Sequence, residues 1–116
     1  MNLNNYVGIP FAVGGRTERA VDCWGLVMQV YQKEFNVALS DFLGDHTASH
    51  KTTLIDEPAD GCLVRAVNSS SGADHWGVYY KGHVLNAQMP HSAAPKLKQF
   101  ISRFPSIKFY EVAPDE

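Results

Sequence analysis

The stretch AVDCWGLVMQVY, residues 20–31, places an acid, a thiol and an indole directly before an apolar run. Counted from Cys23, apolar side chains recur at i+3, i+4, i+7 and i+8, and these are Leu26, Val27, Val30 and Tyr31. This spacing is typical of the core-facing side of an α-helix. The pattern therefore predicts a helix from Cys23 to about Phe35, with Asp22 at its amino-terminal edge.

The length and composition indicate one globular domain, residues 1–116. The chain is 45% hydrophobic and 19% charged, which is ordinary for a compact domain of this size. A formal net charge of -2 leaves no basic surplus to neutralise phosphates, so nucleic acid is not an expected partner. No run approaches 18 consecutive apolar residues, and we therefore expect no membrane insertion.

The amino terminus and the cysteines bear on the compartment. Residues 1–5 have neither a basic region nor an apolar core, so the sequence predicts no signal peptide and synthesis in the cytoplasm. The two cysteines, Cys23 and Cys62, lack C-x-x-C spacing and form no disulfide framework. Free thiols in a reducing compartment are the expected state.

The second half of the chain changes period and predicts a sheet. Short segments rich in β-branched and aromatic residues are separated by turn residues, and they are GCLVRAV (61–67), HWGVYY (75–80), HVLNAQ (83–88) and IKFYEV (107–112). KLKQFISRF (96–104) has the apolar stripe of a second helix lying on that sheet. The polar residues around 44–53 are interpreted as a loop. The expected fold class is α+β with a mainly antiparallel sheet.

Cys23 has two interpretations. A thiol in the first turn of a helix faces unpaired backbone N–H groups and the positive end of the helix dipole, which favour the thiolate and lower its pKa. The same N–H groups can stabilise the oxyanion of a tetrahedral intermediate. Cysteine is also among the residues most often buried as a small hydrophobe. The choice depends on whether a base and a group that orients the base lie nearby.

The segment HWGVYYKGHVLNAQ, residues 75–88, supplies candidates for both groups. If residues 81–82 form a two-residue turn, Gly77 lies opposite Asn86, and His75 and Asn86 are diagonal neighbours on one face of the sheet. Asn86 could then hold the imidazole of His75 and direct its other nitrogen toward a thiol. A three-residue turn would instead put Asn86 on the opposite face.

Together these blocks resemble a known family. YVGIPFAVGGRTERAVDCWGLVMQVY, a following G-x-L-V strand, and HWGVYY with VLNA are similar to the blocks of the NlpC-type cell-wall peptidases, which are papain-like cysteine hydrolases. The similarity extends over residues 6–112 with the blocks in the family's order. It implies a papain-like fold, in which an amino-terminal catalytic helix packs on a mainly antiparallel sheet.

The resemblance also implies an activity. It assigns Cys23 as the nucleophile, His75 as the general base and Asn86 as the third residue, where the family commonly has His. Members of the family typically cleave the peptide stems of peptidoglycan, often next to D-glutamyl or diaminopimelyl residues. Peptidoglycan stem peptides are therefore the expected partners, and no cofactor is expected.

Three positions depart from the family pattern. Trp24 stands where Ser is usual, and the resulting D-C-W-G is similar to members associated with bacteriophage tails, which implies a virion context and other phage tail proteins as partners. Phe11 replaces a common Tyr whose hydroxyl is thought to assist the oxyanion site. Cys62 occupies a position usually held by Asp, and we interpret it as a buried strand residue.

Further side chains have competing interpretations. Asp22 either caps the helix or binds a substrate amino group, and the first is favoured. Trp24 and Trp76 are candidates for the lining of a substrate groove, although most aromatic side chains in so small a domain belong to the core. His46 and His50 have the i, i+4 spacing of a metal site on a helix, but the segment has no helical periodicity and no metal is expected.

Two classes of function follow. The first is a cysteine endopeptidase or amidase that hydrolyses peptidoglycan stem peptides through an acyl-enzyme. The second is a structural tail-assembly or binding module that keeps the fold and has lost turnover, which the replacement of Tyr by Phe11 favours. Faster alkylation of Cys23 than of Cys62 would distinguish the enzyme from the module.

Overall fold

The computed structural model describes residues 1–41, 51–67 and 74–114. A short 3₁₀-helix, Leu3–Asn5, precedes the main elements. Two α-helices follow in this part of the chain, α1 at Cys23–Phe35 and α2 at Leu97–Arg103. The strands of the same residues, numbered in chain order, are β1 Arg16–Thr17, β2 Ala20–Val21, β3 Thr52–Ile55, β4 Leu63–Val67, β5 Asp74–Tyr80, β6 His83–Asn86 and β7 Ile107–Val112.

The larger sheet has the strand order β3-β7-β4-β5-β6, and every neighbouring pair in it is antiparallel. Strands β1 and β2 form a separate antiparallel pair directly before α1. Helix α1 packs with Trp76, Val78 and Leu85 in one core cluster. Phe100 of α2 packs with Val84 in a second cluster. Because side chains alternate along β5 and β6, the two helices cover opposite faces of the sheet.

The predicted fold class, α+β with a mainly antiparallel sheet, is confirmed. Helix α1 has the predicted bounds, and it ends where Asn36 takes a left-handed φ of 55°. The loop predicted around residues 44–53 is wrong at its carboxyl end, because β3 begins at Thr52. Two of the four residues of β3 are exposed and its pairing is with β7 alone, so its sequence carries no clear apolar alternation.

The hairpin of β5 and β6 has the predicted two-residue turn. Lys81 and Gly82 have φ values of 46° and 84°, and positive φ at both central residues is what the tight turn between twisted strands requires. Tyr80 pairs with His83 and Gly77 pairs with Asn86. A Cβ at Gly77 would lie 2.8 Å from a backbone oxygen of β6, so this position needs glycine.

The first turn of α1 lies in close contact with the loop before it. A Cβ built on Gly25 would lie 2.0 Å from the carbonyl oxygen of Gly15. That oxygen also accepts hydrogen bonds from the Asp22 backbone N–H at 3.3 Å and from Arg16 Nη1 at 2.9 Å. The absence of a side chain at Gly25 therefore allows the loop to seat the start of the helix.

We expect Gly25→Ala to lower the free energy of unfolding by about 2–3 kcal/mol, because the added methyl group overlaps backbone rather than a mobile side chain. Alanine would otherwise favour the helix by about 1 kcal/mol. Urea denaturation measures the effect. The control is Gln32→Ala, an exposed position of the same helix, which should change stability by less than about 0.5 kcal/mol. A neutral or stabilising Gly25→Ala would contradict the close contact.

Candidate active site

Asp22 is the N-cap of α1. Its Oδ1 accepts from the backbone N–H of Gly25 at 2.8 Å and from Arg16 Nη1 at 2.5 Å, and its Oδ2 accepts from the Gly14 N–H at 3.1 Å. Burial acts to raise the pKa of this carboxyl, but these hydrogen bonds and the Arg16 charge outweigh it and lower the pKa. The helix-capping interpretation is confirmed. Contact with a substrate amino group stays a prediction.

Arg16 connects this cap to Asp41, in the segment that follows α1. Besides its bond to Asp22, its guanidinium makes two bonds to the Asp41 carboxylate, Nε to Oδ2 at 2.8 Å and Nη2 to Oδ1 at 2.9 Å. The Arg16 guanidinium thus joins the carboxylate of Asp22, which precedes α1 in the sequence, to that of Asp41, which follows it. The arrangement holds the loop of residues 14–16 against the first turn of α1.

Cys23 is the first residue of α1 and is half-buried. The backbone N–H groups of Trp76 and Trp24 interact with its thiol and act to lower the pKa. Burial outweighs them, so the pKa of Cys23 is raised. The expectation of a lowered pKa is therefore wrong for this state of the protein, because packing removes more solvation from the thiolate than two N–H groups restore. A thiol in this position needs a base to take its proton.

His75 and Asn86 meet as the hairpin register predicts. His75 Nε2 and Asn86 Oδ1 are 2.9 Å apart, which is a hydrogen bond when Nε2 carries the proton. Asn86 is 1% exposed, and its Nδ2 donates to the Val84 carbonyl at 3.2 Å. The amide is thereby fixed with its oxygen toward the ring. This leaves Nδ1 as the free nitrogen of His75, one residue before the Trp76 N–H that faces the thiol.

Two aromatic side chains of the α2 segment cover the imidazole. His75 stacks on Phe104 with ring centroids 5.1 Å apart and 18° between the planes, and on Phe100 at 6.3 Å and 22°. The rings fix the plane of the imidazole and exclude water from its hydrogen bond to Asn86. Sequence reasoning did not single out these residues, although their i, i+4 spacing in the apolar stripe was the available signal.

Three influences act on the pKa of His75. Burial lowers it, the hydrogen bond that His75 donates to Asn86 raises it, and the positive charge of Arg103 lowers it. Burial is the largest, so the pKa lies below the ordinary value. With the thiol pKa raised and the imidazole pKa lowered, the resting pair is neutral at neutral pH. His75 is then present in the form that can accept a proton.

Trp24 and Trp76 are core residues. Each is 2% exposed, and their rings contact edge to face with centroids 5.4 Å apart. The Trp24 Nε1 donates to the Ser40 carbonyl at 3.0 Å. The expectation that these side chains line a substrate groove is not met in this structure, because their packing in the core leaves almost no surface. Their contribution to the site comes from their backbone N–H groups.

The other positions singled out in the sequence lie outside this constellation. Cys62 is 3% exposed, as expected of a buried strand residue. Phe11 bridges Val21, two residues before the cysteine, and has no hydroxyl to offer there. The residues that the structure describes hold no cluster of three or more His, Cys, Asp or Glu side chains suited to a metal. His46 and His50 lie outside the described residues.

We expect two substitutions to move the pKa of His75 in opposite directions. Arg103→Gln removes a nearby positive charge that disfavours the imidazolium, so the pKa should rise. Asn86→Ala removes the hydrogen bond that raises the pKa, so it should fall further. An NMR titration of the imidazole resonances measures both. Lys98→Gln, an exposed charge on α2, is the control. Shifts of the same sign in both variants would contradict the arrangement described.

Comparison with known proteins places the fold and the family. A solved structure described as the NlpC/p60 domain of the peptidoglycan hydrolase SagA superimposes with a TM-score of 0.69 at 18% sequence identity, covering 96% of this chain and 92% of that one. The papain-like fold is thereby confirmed. A search of curated proteins found no match. The model of the NlpC/P60 family matches residues 8–102. This chain is a member of the NlpC/P60 family.

Proposed function

We propose that this protein is a cysteine peptidase that hydrolyses the peptide stems of bacterial peptidoglycan. The observation that carries the proposal is the 2.9 Å contact of His75 Nε2 with Asn86 Oδ1, next to the Trp76 N–H that faces the Cys23 thiol. A base held by an orienting amide and a thiol at a helix start are the groups that nucleophilic catalysis requires. The substrate class is supported by the family and by the similar fold of a peptidoglycan hydrolase domain.

The proposed reaction has two halves. His75 Nδ1 takes the proton of Cys23 as the sulfur forms a bond to the carbonyl carbon of the scissile amide. The tetrahedral intermediate then collapses, the C–N bond breaks, and the imidazolium returns its proton to the leaving amine. In the second half His75 removes a proton from water, the resulting hydroxide attacks the thioester, and the released thiolate is reprotonated.

The backbone around Cys23 suits the charge that develops during this reaction. The N–H groups of Trp24 and Trp76 already interact with the sulfur, and they come from two different elements, α1 and β5. Backbone donors in a partly buried site stabilise an oxyanion or a thiolate without having to reorganise. Since the resting thiol is neutral, this stabilisation acts mainly on the transition state, which is where it accelerates the reaction.

A second candidate is a non-catalytic module with the same fold. Phe11 favours it, because the hydroxyl that is common at this position in the family is missing. The raised pKa of Cys23 favours it as well. The context we propose in either case is a bacteriophage tail, and this rests on the D-C-W-G motif alone. Failure to detect the chain in purified phage particles by mass spectrometry would remove that context.

Thiol reactivity separates the enzyme from the module. We expect iodoacetamide to modify Cys23 at least about 10-fold faster than Cys62 near pH 7.5, because Cys23 is only half-buried and has His75 as its proposed base, whereas Cys62 is 3% exposed. Mass spectrometry of tryptic peptides follows both rates in one sample. In His75→Ala the rate at Cys23 should fall and the rate at Cys62 should not. Equal and slow modification of both thiols would support the module.

We expect the three proposed catalytic residues to differ in their contribution to cleavage. Cys23→Ala should abolish release of peptide fragments from purified peptidoglycan, and His75→Ala should lower it by about 10³-fold or more. Asn86→Ala should retain measurable activity, because a neutral amide orients the imidazole but does not carry its proton. Fragments are identified by mass.

The matched control for this series is Gln32→Ala, which lies on the exposed surface of α1 away from its amino terminus. It should keep the activity of the unmutated protein. Full activity in Cys23→Ala would refute the peptidase proposal. Inactivity of the unmutated protein on walls of every stem composition would favour the non-catalytic module.

A further inference from the structure

A groove of about 480 Å³ lies between α2 and the chain that follows β6. Its lining includes Gln88, Ala93, Gln99, Ser102, Arg103 and Phe104. Ala93 and Asn86 exchange both of their backbone hydrogen bonds, at 2.9 and 3.0 Å, so one wall of the groove is bonded to the residue that orients the imidazole. Phe104, on another wall, stacks on His75. The lining of the groove therefore includes one residue that is bonded to Asn86 and one that stacks on His75.

The charge of the groove is positive. Of the described residues that line it, Arg103 alone is charged. Its guanidinium carbon lies 5.9 Å from the centre of the Phe104 ring, and the side chain is exposed. It forms no ion pair with any residue that the structure describes. The segment 96–103 carries Lys96, Lys98 and Arg103 and no acid, although the chain as a whole has 12 acidic and 10 basic residues.

We propose that Arg103 binds a free carboxylate of the substrate in this groove, so that the protein selects acidic stem peptides over their amidated forms. The inference rests on the proposed peptidase function for the identity of the peptide. A guanidinium offers two parallel N–H donors that match the two oxygens of a carboxylate. The amides of Gln88 and Gln99 and the hydroxyl of Ser102 add neutral polar groups around the same space.

The position of Arg103 gives it a selective role. Its guanidinium lies over the Phe104 ring, which in turn stacks on His75, so a carboxylate bound to Arg103 would lie beside the reacting bond rather than on it. A residue at that distance holds a neighbouring part of the peptide and leaves the scissile carbonyl to Cys23. A stem peptide that contains a D-glutamyl residue carries such carboxylates on that residue and at its carboxyl terminus, and amidation of either removes the charge.

The test compares three synthetic stem peptides that are identical except for one group. The first has both carboxylates free, the second is amidated on the D-glutamyl residue, and the third is amidated at the carboxyl terminus. Binding is measured by calorimetry on the Cys23→Ala protein at pH 8, so that no turnover occurs and titration of His75 does not contribute. One amidated peptide should bind about 10-fold more weakly than the free acid, which is the expected loss of one charge-assisted contact. The amidated peptide that binds more weakly identifies the carboxylate that Arg103 contacts.

Adding Arg103→Gln should reduce that preference to less than about 2-fold, mainly by weakening the binding of the free-acid peptide. Arg103→Lys should retain part of it. Lys98→Gln, which removes a charge from the same helix outside the groove lining, should leave it intact. A preference that persists in Arg103→Gln, equal binding of all three peptides, or no binding of any of them would overturn the inference.

Cleavage by the unmutated protein is scored separately and tests the proposed function. Cleavage without a carboxylate preference would refute the role of Arg103 and leave the peptidase proposal standing. An Arg103-dependent preference in binding without cleavage would refute the peptidase and leave the carboxylate site standing. The exposed position of Arg103 makes a folding defect unexpected, and thermal unfolding of each variant checks this.

Discussion

The site depends on the hydrogen bonds that the Asp22 carboxylate accepts. This carboxylate gathers donors from the loop before it, from the helix after it and from a guanidinium, and it does so next to the residue that bears the thiol. The close approach of the Gly15 carbonyl to Gly25 is possible because Gly25 has no side chain, and it brings those donors within reach. The start of α1 is thus positioned by backbone contacts and by one partly buried ion pair, Asp22 with Arg16. A helix end that was free to fray would not hold a sulfur in one place.

The second feature that determines the geometry of the site is the point at which β6 ends. Its pairing with β5 ends at Gly77 and Asn86, so His75 and Trp76 continue beyond the last residue of the neighbouring strand. Cys23 comes to this position from the face covered by α1, and the aromatic rings of α2 cover the imidazole from the other face. The thiol and the N–H group of Trp76 therefore interact at the point of β5 that follows His75, beyond the end of the neighbouring strand. Had β6 continued for two more residues, it would have paired with this part of β5.

Features that depend on local periodicity could be predicted from the sequence. The helix from Cys23 to Phe35 follows from its apolar spacing, and the approach of His75 to Asn86 follows from a two-residue turn and the alternation of side chains. Features that depend on tertiary packing could not. The pKa of Cys23 is set by how much solvent the folded chain removes, and β3 exists because β7 is there to pair with it. Arg103 reaches the environment of His75 only through the packing of α2, and no pattern in the sequence indicates it.

The turn at Lys81 and Gly82 lies on the surface, where loops ordinarily accept extra residues at little energetic cost. Here its length also sets which face of the sheet Asn86 occupies, since adding one residue shifts the pairing by one position and reverses the side chains of β6. Val84 and Leu85 would exchange faces of the sheet together with the Asn86 amide, so the core on both sides of the sheet would be disturbed at the same time. A single-residue insertion in this exposed turn should therefore be as poorly tolerated as a change in the buried interior, and a related chain with a longer turn would need a different residue to hold its imidazole.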